Sequence, residues 1–248
     1  MIVSYKTELL MADGSFETAG NLAGKTFQGW SYGHHGHFVQ ETVHVEPVGV
    51  QRLYRFKTKS GRVIDVGDKD TAVYSGDGWL NVMDIPHTAR QVGAKMHNVE
   101  LEIAELGYFP HAGTLHKDNN WLRVAANNLF PPGLAEDIPS YFGKLDHDSL
   151  LRLLHIFYYD PNATSFRLAN SFARDRLFHL LTRIGVHAVG LPSHLTLLKA
   201  KMPPTNLPLH SGKIHEFSKA TTVPALELKT EHGNILEKNT IWQTKQLT

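Results

Sequence analysis

Apolar and polar positions alternate one for one through the first third of the chain. Thr42-Val-His-Val-Glu alternates, Gly49 interrupts the run, and Arg52-Leu-Tyr-Arg-Phe-Lys-Thr resumes it up to Ser60-Gly61. Arg62-Val-Ile-Asp-Val follows, and Ser75-Gly-Asp-Gly supplies the next turn. A period of two between Gly, Asp and Ser clusters predicts short antiparallel strands. Leu9, Tyr54 and Phe56 are expected to face inward, with Glu8, Arg55 and Lys57 in solvent. The last segment, from Val223 to Trp242, returns to strand.

Between about residues 94 and 215 the period lengthens to that of a helix. Asp146-His-Asp-Ser opens one helix with acidic capping residues, and Pro161 stops it by disfavouring helical geometry at Asp160. Ser171 is expected to cap a second helix with a stripe of Phe172, Leu177, Leu180, Leu181 and Ile184, ended by Gly185. Phe130-Pro-Pro-Gly and Met202-Pro-Pro-Thr mark loops. The pattern divides the chain into 1–93, 94–215 and 216–248, an α+β organisation with β-rich ends.

Composition narrows the chemistry. The chain has 248 residues, enough for a sizeable core, and no cysteine, which excludes disulfides, thiolate nucleophiles and Cys-based zinc sites. A formal charge of +1 gives no global attraction to nucleic acid, so that case must rest on local clustering. No stretch has the length of a membrane span, and no signal peptide is evident. No nucleotide-binding fingerprint appears.

The opening residues, Met1-Ile-Val-Ser-Tyr-Lys-Thr-Glu-Leu-Leu-Met-Ala-Asp-Gly-Ser, resemble the first block of an intein (Hint) domain. In that family a Cys or Ser nucleophile comes first; here Ile2 holds its place. A second family block carries Thr-x-x-His, and Val66-Gly-Asp-Lys-Asp70 aligns with it, so that Gly67 and Asp70 stand for Thr and His. Leu226 to Asn239 resembles the C-terminal block, with Thr244 and Lys245 where a cyclising Asn would end it. The resemblance implies a Hint horseshoe built from both termini, with splicing lost at Ile2, Gly67, Asp70 and Lys245. Because Met1 precedes the nucleophile position, a free-standing product is expected.

The middle segment resembles the LAGLIDADG homing endonuclease that many inteins carry. Glu105-Leu-Gly-Tyr-Phe-Pro-His-Ala-Gly113 is the first candidate motif, with Ala112 in place of the metal-binding acid. Leu153-Leu-His-Ile-Phe-Tyr-Tyr-Asp-Pro161 is the second, keeping Asp160 but placing His155 at the small packing position. The resemblance therefore implies a reduced α/β insertion in which Asp160 alone remains to hold Mg2+. No cofactor is expected otherwise.

Arg167, Arg174, Arg176, Arg183, Lys199, Lys201 and Lys213 make the stretch after Asp160 basic. Such a run offers double-stranded DNA a salt-sensitive, sequence-independent contact; its alternative is a solvated helix face. Gly33-His-His-Gly-His37 is the densest imidazole cluster and reads as a surface loop or a metal site. The functional expectation is a splicing-inactive intein–endonuclease derivative, at most DNA-binding, in the cytoplasm or a virion. Its alternative is a non-catalytic structural or protein-binding module on the same scaffold, such as a bacteriophage or mobile element carries.

Overall fold

Strand-forming alternation at the two ends of the chain meets in one hydrogen-bonded ladder. A computed structural model describes residues 1–33, 36–67, 71–81, 90–92, 95–109, 113–129, 138–158, 165–167, 170–186, 188–191, 194–197, 209–238 and 240–247. The first strands are β1 (Ile2–Ser4), β2 (Glu8–Leu10), β3 (Phe16–Thr18), β4 (Thr26–Tyr32) and β5 (Phe38–Thr58). Next come β6 (Val63–Gly67), β7 (Ala72–Tyr74), β8 (Trp79–Asn81), β9 (Arg90–Val92) and β10 (Lys95–Leu106). Helices α1 (Asn119–Leu129) and α2 (His147–Tyr158) precede β11 (Ser165–Arg167), α3 (Ser171–Arg183), β12 (Ala188–Leu191) and β13 (His194–Leu197). The chain closes with β14 (Leu209–Thr230), β15 (Asn234–Glu237), β16 (Thr240–Gln243) and β17 (Lys245–Gln246).

Two units divide these elements. One comprises Met1–Ala12, Glu17–Glu105 and His210–Thr248; the other comprises Asp13–Phe16 and Leu106–Leu209. The changes of unit fall at 105/106 and 209/210 instead of 93/94 and 215/216, because β10 and β14 belong almost wholly to the first unit.

In the first unit the sheet order is β4-β5-β6-β1-β14-β10-β16-β7-β8. Ile2, Val3 and Ser4 lie opposite Glu227, Leu226 and Ala225, so the two ends of the chain are zipped together. Leu9 and Leu226 are fully buried in one core with Val3, Val43, Phe56, Ile64 and Trp242. Phe56 sits 5.2 Å from Phe217 and 6.0 Å from Trp242 between ring centres. Burying each such side chain contributes roughly 1.5–3 kcal/mol. Tyr32 of β4 and Tyr74 of β7, near opposite ends of the sheet order, approach to 5.3 Å.

Two local expectations change here. Gly49 does not end a strand: β5 runs through it, and the register with β14 steps from Pro47↔Leu226 to Val50↔Pro224. Two residues of β5 thus oppose Ala225, a bulge that bends the strand without breaking it. Glu8 is buried, since all three residues of β2 are enclosed and alternation does not apply.

The second unit packs its helices with a small sheet ordered β11-β13-β12. Its core includes Leu122, Phe142, Leu150, Leu153, Leu177, Phe178 and Leu181. Asp146 Oδ1 accepts from Ser149 N at 2.7 Å and starts α2 as expected. In α3 the cap is Asn170, whose Oδ1 accepts from Ala173 N at 2.8 Å, and Ser171 is the first helical residue. Gly185, at φ +72°, stops α3, with Val186 N donating to Leu181 O. Phe172 is exposed and not part of the stripe. Gly143 lies so close to Gly14 that a Cβ on it would stand 1.6 Å from the Gly14 carbonyl oxygen. That contact and the 2.8 Å pair of Lys144 with Asp13 hold the 13–16 turn in this unit.

The described part of the first endonuclease-like motif, Glu105 to Phe109, is not helical. Glu105 and Leu106 end β10, and Gly107 to Phe109 are irregular; His111 and Ala112 lie outside the described residues. The second does fall on α2 as far as Tyr158, while Asp160 and Pro161 lie outside the described residues.

Candidate functional site

Ile2 and Gly67, far apart in sequence, are direct cross-strand neighbours between β1 and β6. Gly67 also faces Leu53 across β5 and β6. A Cβ at Gly67 would stand 2.9 Å from both Ile2 Cγ2 and Leu53 Cδ2, tighter than carbon contacts allow. Ile2, Leu53 and Ala225 form a small apolar cluster, with Val48 and Val223 packed against it. Thr71 Oγ1 donates to the Gly67 carbonyl oxygen at 2.5 Å. Carbon fills this position.

Charge surrounds the cluster on the β14 side. Glu227 lies opposite Ile2 in β1 and opposite Glu46 in β5. Lys229 bonds Glu46 and stands 3.8 Å from Glu227, and Lys245 stands 3.9 Å from Glu227. The hydrogen bond to Glu46 holds the Lys229 ammonium above its ordinary range and the Glu46 carboxyl below its own. Three of the sequence-predicted positions, Ile2, Gly67 and Lys245, thus cluster about one short stretch of β1 and β14. Lys245 is exposed. Asp70 lies outside the described residues.

Of the basic run after Asp160, the described arginines of α3 are buried or half-buried. Arg183 has no exposed area; its Nη1 donates to Gly143 O at 2.8 Å and its Nη2 to Leu145 O at 2.9 Å. Burial drives the guanidinium down to about 10, against a small opposing pull from Asp146. Arg174 is also buried and pairs with Asp175 at 3.0 Å. Arg176 is half-buried and donates to Ile138 O at 2.5 Å. The expectation of phosphate contact through Arg174 and Arg183 is corrected, as is the solvated-face alternative, because α3 is enclosed on nearly all sides. Lys213 pairs with Glu102 at 3.3 Å in the first unit. Arg167 has its backbone in β11, while its side chain, Lys199 and Lys201 lie outside the described residues. Among the described residues no three His, Asp or Glu groups converge to hold a metal.

Two polar constellations leave little or no signal in the sequence. Arg62 Nη1 contacts Glu105 Oε2 at 2.7 Å, both side chains being at most 4% exposed. Ser60 Oγ donates to Glu105 Oε1 at 3.0 Å, and Thr58 bonds Ser60. Gly212 makes room for the carboxylate, since a Cβ there would stand 2.5 Å from Glu105 Cγ. In the second constellation His232 Nδ1 and its backbone N both reach Glu41 Oε2, at 2.8 and 3.1 Å. Glu41 occupies an alternation position of β5, and that inward place is the only hint the sequence holds.

No family model matches the chain, and no curated protein matches it. Among solved structures it is similar to a variant of the Ssp DnaB mini-intein, at 13% identity and a TM-score of 0.49, over 100% of this chain and 95% of that one. It is also similar to a DnaB intein from Synechocystis sp. PCC 6803, at 11% identity and a TM-score of 0.47, covering 98% of each chain. No helix among the described residues is long and apolar enough to cross a membrane.

Proposed function

We propose that the chain is a splicing-silent Hint-like scaffold whose role is structural or protein-binding, not catalytic. The observation that carries this reading is the contact of Ile2 with Gly67. An acyl shift needs a nucleophilic heteroatom and a donor that polarises the scissile carbonyl. Two of the three positions that the sequence resemblance assigns to those tasks, Ile2 and Gly67, are neighbours in space, and both present only carbon and hydrogen; the third, Asp70, lies outside the described residues. A hydroxyl-bearing side chain at 67 has no room while Ile2 and Leu53 stand there. The zipping of β1 onto β14 supports the same reading, since it keeps the ends of the scaffold together without the chemistry.

A DNA-associated role has less support, because the described arginines of α3 are spent on Gly143, Leu145, Ile138 and Asp175. Cleavage with Mg2+ rests on Asp160 alone and is not favoured.

The test places the chain between two reporter domains and follows the purified fusion by mass spectrometry. The precursor is expected to stay intact. Appearance of ligated reporters, or of a released reporter with the mass of cleavage at Ile2, would overturn the reading.

A further inference from the structure

We propose that Asp77 is a modification site, converting without an enzyme to isoaspartate through a cyclic imide formed with the backbone nitrogen of Gly78. The chain has two Asp-Gly steps, 13–14 and 77–78, and no Asn-Gly step. Glycine has no Cβ to shield its own nitrogen, so both steps carry the groups that the ring needs. Their surroundings separate them.

At Asp13 the carboxylate is pinned and the glycine is required. Oδ1 accepts from Ser15 N at 3.0 Å and from Ser15 Oγ at 2.5 Å, and Oδ2 pairs with Lys144 at 2.8 Å. Gly14 has φ +84°, a conformation in which a side chain would be strained. At Asp77 neither condition holds. The residue is exposed, and among the described residues its carboxylate has no hydrogen bond or ion pair. Gly78 lies outside the left-handed region, and a Cβ on it would meet nothing within 4 Å. Neither backbone nor packing calls for glycine there, in contrast with Gly76 at φ +100°. What glycine at 78 provides is an unhindered nitrogen.

The turn leaves that nitrogen within reach of the carboxyl. Ser75 N donates to Gly78 O at 2.9 Å and closes the hairpin between β7 and β8. Ser75 Oγ accepts from Asp77 N at 3.3 Å and from Gly78 N at 3.2 Å, long bonds in a turn whose tip is exposed, and these open at little cost. Gly78 N then attacks Cγ of Asp77. A C–N bond forms, and one carboxyl oxygen leaves as water with the amide hydrogen. Water adds back at either carbonyl of the ring; opening on the α-carbonyl side leaves the main chain running through Cγ, one methylene longer. Nothing is oxidised or reduced. The extra methylene falls inside the turn next to the Tyr74↔Trp79 pair, so the product shifts Trp79, an exposed aromatic side chain.

The test holds the full chain folded at neutral pH in water enriched in heavy oxygen, then digests it for mass spectrometry with electron-transfer fragmentation. Each ring opening adds one solvent oxygen, and the fragments distinguish isoaspartate from aspartate. Heavy oxygen and isoaspartate are expected at Asp77 and not at Asp13, whereas in urea both positions should take up label. Asp77 unlabelled in the folded chain, Asp77 and Asp13 labelled alike there, or Asp13 unlabelled in urea overturns the proposal. Gly78→Ala suits the backbone, so its circular dichroism should match the wild type while labelling at Asp77 is lost. Labelling of that variant at the wild-type rate would also sink the idea.

Discussion

Each unit of this chain buries arginine, and Arg62 of the first and Arg183 of the second are accommodated by different means. In the first unit Arg62 meets a carboxylate, Glu105, within a network that includes Ser60 and Thr58. In the second, Arg183 meets only the carbonyl oxygens of Gly143 and Leu145. The first solution cancels charge; the second disperses it into backbone dipoles at the end of a short 3-10 turn, Ser140–Lys144. Burial without a bound counter-ion pulls the Arg183 guanidinium below its ordinary range, down to about 10. A buried cation held by carbonyls stays near its threshold of expense, while a paired one becomes indispensable to its partner.

Replacing one member of the Arg62–Glu105 pair should have the largest effect. Glu105→Leu leaves a buried cation beside apolar surface and is expected to cost about 3–5 kcal/mol in urea unfolding. Adding Arg62→Leu to it should recover much of that loss; a double variant no better than the single would show that the pair is not the source. The second-unit arginine should matter less. Arg183→Met leaves two carbonyls unsatisfied, at about 1–3 kcal/mol each, but also removes a buried charge, so its net loss should fall below that of Glu105→Leu. The pH dependence sharpens this case. The folded-state value lies below the unfolded one, so the unfolded chain keeps its proton as pH rises above about 10. The wild type should therefore gain stability relative to Arg183→Met across that window, and a flat difference would contradict the burial argument. The exposed bidentate pair of Arg55 with Asp65, at 2.8 Å for each bond, sets the lower end of the scale. Arg55→Ala should cost about 0.2–1 kcal/mol, shrinking further in high salt.

What the sequence made legible follows the reach of local rules. The Asp146 cap, the Gly185 stop and the alternating strands near Phe56 depend on neighbours a few residues away, and each is found in place. The pairing of the two ends was also legible, through the likeness of both terminal blocks to one family. The Arg62–Glu105 pair joins residues 43 apart and leaves no periodic trace. Arg174 and Arg183 misled for a different reason: basic residues at helical spacing look the same on a wet face and inside a helix enclosed on most sides. Gly49 shows a third limit, since a bulge and a strand break share the same composition and only the partner strand tells them apart.

The interlock of Gly67 with Ile2 couples the two positions. A threonine at 67 would collide with the isoleucine present at 2, and a serine at 2 would face a neighbour with no side chain to assist it. Either substitution alone brings strain or idleness. The two positions therefore tolerate change only together, and a library that varies one of them singly will return mostly the residue already there.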